Sequence, residues 1–449
     1  MKKLFIKTFG CQMNVYDSAR MADILSLDGY ETTENIEEAD VFIMNTCHIR
    51  EKASEKIFSE LGKIKPIKQE KIDNGKYLTV IVAGCVAKAE GANIFKRMPI
   101  VDIVIGAESY HKIGEMVKEI EEQNKFEQKY LIDIDFKTEE KFASLPNVRK
   151  IKGVSDNIAV QAGCDKFCSY CVVPYTRGRE YSRPPEEIIE EAKILRDAGV
   201  KEITLLGQNV DNYNGKNKNG KITSLAELIY FINDIEGIER IRYTTSYPSQ
   251  FNDDMIFAHR DLKKLMPFIH LPVQSGSNDV LKSMNRKYTR EKYIEIVEKI
   301  RKYVPDVALS SDFIVGFAGE TEEQFLETID LAEKIKYASS FSFKYSPRPN
   351  TVGIKMPNQI PEEIKAERLV KLQGVLDQQQ IDFNRSCIGK NMEILIENTC
   401  ENGENLFFGR TPYLQAVVVN GERKLNNGDI VKVDIVDANL RTLKGDLIV

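Results

Sequence analysis

Apolar, strand-like segments that alternate with helical segments run from the N-terminus to about residue 380, and this alternation constrains the fold most strongly. The first region has predicted strands at residues 3–9, 40–44 and 78–82, with helical patterns at 18–27 and 51–61 between them. A βαβα order implies a parallel sheet with helices on its faces. We therefore predict an α/β chain whose N-terminal domain, residues 1–120, is built on a parallel sheet.

The central region, residues 150–380, repeats this alternation six times. Its predicted strands are 157–161, 202–206, 240–246, 268–273, 308–315 and 339–345, with the clearest helices at 186–197, 290–303 and 322–335. Six βα units predict a partial (βα)6 barrel, whose functional face lies at the carboxyl ends of the strands. Between the two regions, residues 121–149 are charged and irregular, and we interpret them as a linker.

The last region, residues 383–449, changes character after a long helical pattern at 361–383. Short strand signals at 392–397, 414–419 and 430–436 are separated by Asn-Gly turn signals. This pattern predicts a small β-barrel of the OB kind, a scaffold that often binds RNA. The formal net charge of −5 shows no global positive field, so any nucleic-acid site must be a local patch.

The N-terminus lacks the sustained apolar region of a signal peptide, and no apolar run has the length needed to cross a bilayer. We therefore expect a cytoplasmic protein. In a large chain without an export signal, cysteines favour metal binding or redox chemistry over disulfides. The eight cysteines of this chain are thus candidates for a metal centre.

Cys164, Cys168 and Cys171 form a C-x3-C-x2-C run directly after a predicted strand. Three thiolates at this spacing can hold three corners of one metal centre. No fourth Cys or His lies nearby, as a closed structural zinc site would require. Cysteine thiolates are the usual ligands of iron–sulfur clusters, and three of them leave one iron of a four-iron cluster open.

A second set of cysteines follows the first three predicted strands. Cys11, Cys47 and Cys85 each lie within a few residues of a strand end. If these strands are neighbours in the sheet, the three thiols converge at its carboxyl edge. The alternative is that all three are small buried apolar residues. Cys387 and Cys400 have no partners at metal spacing, and we interpret both as structural.

Polar or glycine-containing segments follow the strands of the central region and favour a shared ligand site on that face. Ordinary turn chemistry is the alternative, since Gly, Ser, Asn and Pro dominate turns. From their position after strands, Gln208, Gln274 and Ser275 are candidate ligand contacts.

Together these motifs resemble the radical S-adenosylmethionine (SAM) methylthiotransferase family along essentially the whole chain. The C-terminal region is similar to the TRAM domain of that family. The other resembling segments are residues 8–14 (TFGCQMN), 45–47 (NTC), 84–87 (GCVA), 163–180 (GCDKFCSYCVVPYTRGRE) and 271–277 (LPVQSGS).

The resemblance implies two 4Fe–4S clusters and SAM as both radical source and methyl donor. Cys164, Cys168 and Cys171 would hold the cluster that binds and cleaves SAM, with Gln208, Gln274 and Ser275 near the SAM molecule. Cys11, Cys47 and Cys85 would hold an auxiliary cluster that binds or donates the sulfur. Inert adenine carbons call for such radical chemistry, which a cofactor must supply.

Residues 45–56 are similar to the bacterial branch that acts on N6-isopentenyladenosine at tRNA position 37, next to the anticodon. The product of that branch is 2-methylthio-N6-isopentenyladenosine. The alternatives are methylthiolation of threonylcarbamoyl-adenosine or of a ribosomal-protein aspartate, and a non-catalytic metal- and RNA-binding protein. Two residues depart from the family pattern: Tyr247 stands where His is commoner, and Ala318 where Pro is commoner.

The resemblance also implies partners: tRNA, an electron donor such as a flavodoxin or ferredoxin, and a sulfur donor. We expect no membrane association and a monomer. Arginines can pair with phosphates through two parallel hydrogen bonds, which makes four of them candidate tRNA contacts. These are Arg177, Arg179, Arg183 and Arg348; the alternative is salt bridges with Glu180, Glu186 and Glu187.

Overall fold

The computed structural model describes residues 1–47, 51–122, 130–135, 138–151, 153–399 and 405–448, with backbone alone for residues 51–55. The chain divides into two units. The first comprises residues 1–150, 161–167 and 171–183, and the second comprises residues 151–160, 168–170 and 184–449.

A parallel sheet of six strands forms the centre of the first unit, in the order β2–β1–β3–β4–β5–β6. Its strands are β1 (Lys2–Phe9), β2 (Tyr30–Thr32), β3 (Val41–Thr46), β4 (Thr79–Gly84), β5 (Ile103–Ile105) and β6 (Leu131–Asp133). Its helices are α1 (Gln12–Leu27), α2 (Glu51–Asp73), α3 (Cys85–Glu90), α4 (Asn93–Arg97), α5 (Ile113–Glu122) and α6 (Thr138–Ala143). The predicted N-terminal parallel sheet is confirmed.

Helices cover both faces of this sheet, as its sequence requires. Every residue of β3 and β4 is buried, which is typical of central parallel strands with continuous apolar runs. Residues of α1 and α5 such as Met21 and Val117 pack on one face, and residues of α2 and α3 such as Leu61 and Val86 pack on the other. The strands β2, β5 and β6 were not predicted; β6 pairs with β5, so part of the predicted linker belongs to the sheet.

The next elements along the chain are β7 (Ser155–Ala159), β8 (Gln161–Ala162), α7 (Val173–Thr176) and β9 (Tyr181–Ser182). Strands β8 and β9 pair antiparallel within the first unit. Strand β7 belongs to the second unit and begins its parallel sheet.

Six parallel strands of the second unit form the predicted partial barrel. Besides β7, they are β10 (Glu202–Leu206), β13 (Arg240–Thr244), β14 (Phe268–His270), β15 (Ala308–Val315) and β16 (Ser339–Lys344). Two short strands, β11 (Asn214–Lys216) and β12 (Ile222–Ser224), lie between β10 and β13 along the chain. Its helices are α8 (Pro185–Asp197), α9 (Leu225–Asn233), α10 (Asp253–Asp261), α11 (Asn278–Ser283), α12 (Arg290–Tyr303), α13 (Glu322–Ile335) and α14 (Glu362–Arg385). The order β7–β10–β13 continues through a parallel bridge, Ile241 to Leu265, towards β14–β15–β16. The hairpin β11–β12 is an addition that was not predicted.

A closed five-stranded barrel ends the chain, in the order β17–β18–β19–β21–β20. Its strands are β17 (Asn391–Thr399), β18 (Leu406–Arg410), β19 (Ala416–Asn420), β20 (Ile430–Ala438) and β21 (Thr442–Leu447). Within the second unit, Arg240 on β13 donates hydrogen bonds to the carbonyl oxygens of Arg410 and Glu393, at 2.8 and 2.7 Å. The predicted small β-barrel is confirmed. Among the described helices, none has the length and apolar character that a transmembrane span requires.

Candidate metal centres

Three cysteines meet at the carboxyl edge of the sheet in the first unit. Strands β1, β3 and β4 are neighbours, and the register pairs Phe9 with Thr46 and Thr46 with Gly84, so the three strands end level. The thiols of Cys11, Cys47 and Cys85 follow directly, and the Cys47 thiol is hydrogen-bonded to both of the others. The sequence predicted that these three side chains converge if their strands are neighbours, and in the structure the strands are neighbours.

The charge state of these thiols suits metal ligation. The hydrogen bond with Cys47 and, to a smaller extent, the guanidinium of Arg177 lower the pKa of Cys11 to about 6 and that of Cys85 to about 7, although burial raises both. The pKa of Cys47 is raised in turn by its hydrogen bonds to Cys11 and Cys85. Since the thiolate is the ligand form of cysteine, two of the three thiols are poised to bind metal near neutral pH.

Two glycines fix the backbone beside these thiols. Gly10 has φ +146°, and a Cβ there would lie 2.7 Å from Cβ of Cys47. Gly84 has φ +89°, and a Cβ there would lie 2.4 Å from Oδ1 of Asn45. The Gly-Cys pairs in both motifs therefore have a steric cause: a side chain at Gly10 would displace Cys47, and one at Gly84 would displace Asn45.

A buried amide network lies next to the same cysteines. The Asn14 Oδ1 atom is 3.3 Å from the Cys11 sulfur, and Asn14 donates from Nδ2 to Oδ1 of Asn45. Asn45 donates in turn to the Asn14 carbonyl and to Oγ of Ser18, both at 2.8 Å. Sequence reasoning did not single out these residues, although Asn14 and Asn45 lie inside the two cysteine motifs.

Arg177 is buried in the first unit and forms ion pairs there. Its guanidinium lies 2.6 Å from the Asp17 carboxylate and 3.5 Å from that of Glu108, and the residue is 2% exposed. These contacts correct the expectation of a direct tRNA contact, because a buried, paired guanidinium is not presented to a phosphate.

The other three candidate arginines differ in exposure. Arg183 is buried, with its guanidinium 4.9 Å from the centre of the Phe142 ring, and Arg348 is buried as well. Burial argues against direct phosphate contact for both. Arg179 is exposed, and its role in tRNA binding stays a prediction.

The loop that carries the C-x3-C-x2-C run is shaped by Gly163. This residue has φ +79°, and a Cβ there would lie 1.9 Å from the carbonyl oxygen of Arg179. The Cys164 amide donates to the carbonyl of Gly178 at 3.2 Å. Cys164 and Cys171 belong to the first unit, and Cys168 belongs to the second.

In the second unit, the segment of Cys168 is held by backbone contacts. The Ser169 amide donates to the carbonyl of Met284 at 3.0 Å, and the Ser169 carbonyl accepts from the amide of Gly353 at 2.7 Å. The buried Cys168 sulfur lies 3.6 Å from Nη1 of Arg286. None of these three contacts was predicted, because the partners come from segments more than a hundred residues further along the chain.

The candidate SAM contacts have different environments. Gln208 is half-buried, and its Oε1 atom has no hydrogen-bond partner among the described residues. Gln274 has a left-handed backbone, φ +73°, and pairs with β15 through its amide and carbonyl. Ser275 is fully buried, with its hydroxyl 3.2 Å from that of Thr328, and its contact with SAM stays a prediction.

Asp211 is a buried carboxyl on the same face of the barrel that sequence reasoning missed. Burial raises its pKa to about 7, although hydrogen bonds from the Ser246 hydroxyl and the Tyr247 amide, both 2.9 Å, oppose the shift. Its role is to join the loops that follow β10 and β13.

Tyr247, the first departure from the family pattern, lies in that second loop and accepts a hydrogen bond from the Lys287 amide at 3.0 Å. Nothing in the structure explains Ala318. Cys387 is buried, as expected of a structural cysteine. His48, which follows Cys47, and Cys400 lie outside the described residues.

The donor set of the first unit fits the chemistry of an iron–sulfur cluster. Three convergent cysteines with lowered pKa values at two positions supply thiolates, the ligands that such clusters use. Among the described residues, no group of three His, Cys, Asp or Glu side chains is placed to hold a single metal ion.

Comparison with known proteins agrees with this architecture. Residues 3–106 match an uncharacterized protein family, UPF0004, residues 158–332 match the radical SAM superfamily, and residues 385–448 match the TRAM domain. The fold is similar to that of the radical SAM methyltransferase TsrM from Kitasatospora setae, with a TM-score of 0.56 and 12% identity over 90% of this chain and 79% of that one. It is also similar to the cobalamin-dependent radical SAM enzyme OxsB, with a TM-score of 0.52 and 13% identity over 84% and 56% of the two chains. These observations define a radical SAM protein with a TRAM domain, a class that uses SAM and a 4Fe–4S cluster.

Relatives that match the whole chain identify its family within this class. The chain is 51% identical over 448 residues, 100% of both chains, to the tRNA-2-methylthio-N(6)-dimethylallyladenosine synthase of Rickettsia rickettsii (strain Sheila Smith). It is 52% identical over 447 residues, 99% of both chains, to the synthase of the same name from Rickettsia canadensis (strain McKiel). The chain therefore belongs to the radical SAM methylthiotransferase family.

Proposed function

We propose that this protein is a tRNA-modifying enzyme that places a methylthio group on C2 of N6-isopentenyladenosine at position 37, next to the anticodon. The observation that carries the proposal is the convergence of Cys11, Cys47 and Cys85 in a radical SAM chain that also contains the C-x3-C-x2-C run. The identity to full-length synthases supports the substrate. The closed C-terminal barrel, which matches the TRAM domain, supports RNA as the substrate class.

The cysteines divide into two roles. When bound, a 4Fe–4S cluster on Cys164, Cys168 and Cys171 supplies the electron for reductive cleavage of SAM, and a second cluster on the other triplet supplies the site of sulfur delivery. The chain itself holds and orients these ligands. Asn14 lies beside the Cys11 sulfur, and the backbone amides of Met13 and Asn14 at the start of α1 favour the thiolate there.

Buried charge assists the triplet of the first unit. The Arg177 guanidinium lowers the pKa values of Cys11 and Cys85 after the larger effect of Cys47, which keeps the ligands deprotonated. Its partner Asp17 fixes the guanidinium from the other side. Arg177 thus acts on the cysteines and not on the phosphate backbone of the RNA.

Single Cys→Ala variants test the division of roles. Cys164→Ala should abolish SAM cleavage. Cys85→Ala should spare cleavage and abolish the methylthio product in nucleoside mass spectrometry. Iron should fall from about eight atoms per chain to about four in either variant, since each cluster contains four.

Cys387→Ala is the matched control, because this buried cysteine lies in the C-terminal barrel core and belongs to neither triplet. It should keep full iron content and the product. Loss of SAM cleavage in Cys85→Ala at full occupancy of the other cluster would contradict the assignment of two separate roles.

The substrate is tested by assaying the purified enzyme on isopentenylated tRNA, on tRNA with threonylcarbamoyl-adenosine, and on ribosomes. Product on the first substrate alone is expected. A colourless protein without iron after anaerobic reconstitution would instead favour the non-catalytic metal- and RNA-binding alternative. A flavodoxin or ferredoxin as electron donor, a separate sulfur donor, a monomeric state and a cytoplasmic location complete the proposal.

A further inference from the structure

Arg286 is a buried guanidinium in the second unit whose three nitrogens all have defined neighbours. Its Nη1 lies 3.6 Å from the Cys168 sulfur, within hydrogen-bond distance for a sulfur acceptor. Nη2 donates to the carbonyl of Pro272 at 2.9 Å, and Nε donates to the hydroxyl of Tyr288 at 2.8 Å. One N–H group of this fork is therefore directed at a cysteine of the C-x3-C-x2-C run.

No carboxylate balances the charge of Arg286 among the described residues. Its hydrogen-bond partners are a carbonyl, a phenol and the Cys168 sulfur, and it forms no ion pair with an Asp or Glu among the described residues. A buried unpaired charge is strongly unfavourable, so such groups are normally paired. The neighbour that can supply a full negative charge is the Cys168 thiolate.

Two aromatic rings hold the guanidinium in this position. Its central carbon lies 4.3 Å from the ring centre of Tyr247 and 5.0 Å from that of Tyr288, distances typical of cation–π contacts. Tyr288 is fixed by hydrogen bonds to the carbonyls of Pro272 and Val273, at 3.3 and 2.9 Å. Tyr247 is held through the Lys287 amide, so the residue that departs from the family pattern forms one wall around Arg286.

We propose that Arg286 is a positioning residue that donates an N–H···S hydrogen bond to Cys168 and thereby raises the reduction potential of the cluster bound there. The inference rests on the proposed function, since it takes Cys168 as a cluster ligand. Reduction adds one electron and one negative charge to the cluster. A hydrogen bond to a ligand sulfur and a fixed positive charge both stabilise the more negative, reduced form.

The test is an EPR-monitored redox titration in the full-length chain carrying Cys11→Ala, Cys47→Ala and Cys85→Ala, so that a single cluster is observed. In this background, Arg286→Gln should retain about four iron atoms per chain. At a given potential its ratio of reduced to oxidised cluster should fall roughly tenfold, equivalent to a midpoint about 59 mV lower for one electron. Arg286→Lys retains the charge without the planar fork and should show a smaller decrease.

Arg290→Gln is the matched control, because it removes a positive charge four positions away whose partners are the backbone carbonyl of Glu327 and the carboxylate of Asp330. It should leave the potential unchanged. An unchanged potential in Arg286→Gln, with the cluster bound, would overturn the inference. If Arg286→Gln does not bind iron, Arg286→Lys decides: a lowered potential supports the inference and an unchanged one overturns it. Full iron and SAM cleavage in Cys168→Ala would instead overturn the proposed function.

Discussion

Replacement of Gly84 by alanine should disrupt the auxiliary cysteine site through its neighbours on β3. Gly84 ends β4 with φ 89° and ψ −158°, a region that only glycine occupies readily. The added Cβ would lie 2.4 Å from Oδ1 of Asn45 and 2.7 Å from the carbonyl oxygen of Thr46. Both atoms are far inside van der Waals contact, so β3 must shift just before Cys47.

The expected loss in the free energy of unfolding of Gly84→Ala is the sum of two terms. Holding alanine in this backbone region costs about 1–3 kcal/mol. Displacing Asn45 breaks its buried hydrogen bonds to the Asn14 carbonyl and to Ser18, and a buried polar group left unsatisfied costs about 1–3 kcal/mol. We therefore expect Gly84→Ala to lower the free energy of unfolding of the apoprotein by roughly 2–6 kcal/mol.

Urea unfolding followed by circular dichroism measures this loss. With a slope of about 3 kcal/mol/M, a loss of about 3 kcal/mol lowers the midpoint by about 1 M. The reconstituted variant should also lose about four iron atoms per chain and still cleave SAM.

Gly75→Ala is the control, because Gly75 has φ +68° but no heavy atom within 4 Å of the added Cβ. It should show backbone strain alone, about 1–2 kcal/mol, with full iron content. Equal losses of stability in the two variants, together with unchanged iron in Gly84→Ala, would refute the steric argument.

Three further predictions concern buried charges. Burial raises the pKa of Asp211 from 3.8 to about 7, so the stability that this carboxyl contributes is present below about pH 4 and is lost as the pH rises through 7; this amounts to ~4 kcal/mol. Asp211→Asn, which resembles the protonated acid, should remove that slope in unfolding curves recorded from pH 4 to 8. Lys68→Met leaves the buried Asp102 carboxylate without its 2.6 Å partner and should cost about 3–5 kcal/mol of apoprotein stability, with iron content per folded chain unchanged. Arg177→Gln leaves Asp17 unpaired and should cost a similar ~3–5 kcal/mol, but should also weaken iron retention by the auxiliary cysteines; equal iron retention in the Lys68 and Arg177 variants would contradict a role at the cysteines.

The central strands of the first unit were predictable because both of their faces are buried. Runs such as VFIMNT in β3 and TVIVAG in β4 are almost wholly apolar, and each ends in a Gly or polar residue before a cysteine. The strands β2, β5 and β6 have three residues each, too few to show a pattern. Their pairing comes from the sheet beside them and not from their own composition.

The cysteines of the candidate site were predictable from spacing, but the partners of other residues were not. Arg177 was interpreted from its sequence neighbours, three of them acidic, whereas its actual partner Asp17 lies 160 positions away. Ser275 was assigned from its place after a strand, which does not reveal that its hydroxyl contacts Thr328 on α13. Strand ends are local properties of a sequence, but contacts between distant segments depend on the topology that the sequence pattern does not reveal.

The buried guanidinium groups of Arg177 and Arg286 affect the cysteines beside them differently. Around Arg177, the carboxylates of Asp17 and Glu108 and the ammonium of Lys141, 2.6 Å from Glu108, bring the formal charge of the group to zero. Arg286 has no such compensation among the described residues, so its full positive charge acts on Cys168. A guanidinium with carboxylate partners lowers the pKa of nearby thiols and holds its neighbours in place, whereas an uncompensated one in a low-dielectric site shifts the energy of an added electron. Arg177 is accordingly expected to govern how well the auxiliary cysteines retain iron, and Arg286 to govern the potential at which the other cluster is reduced.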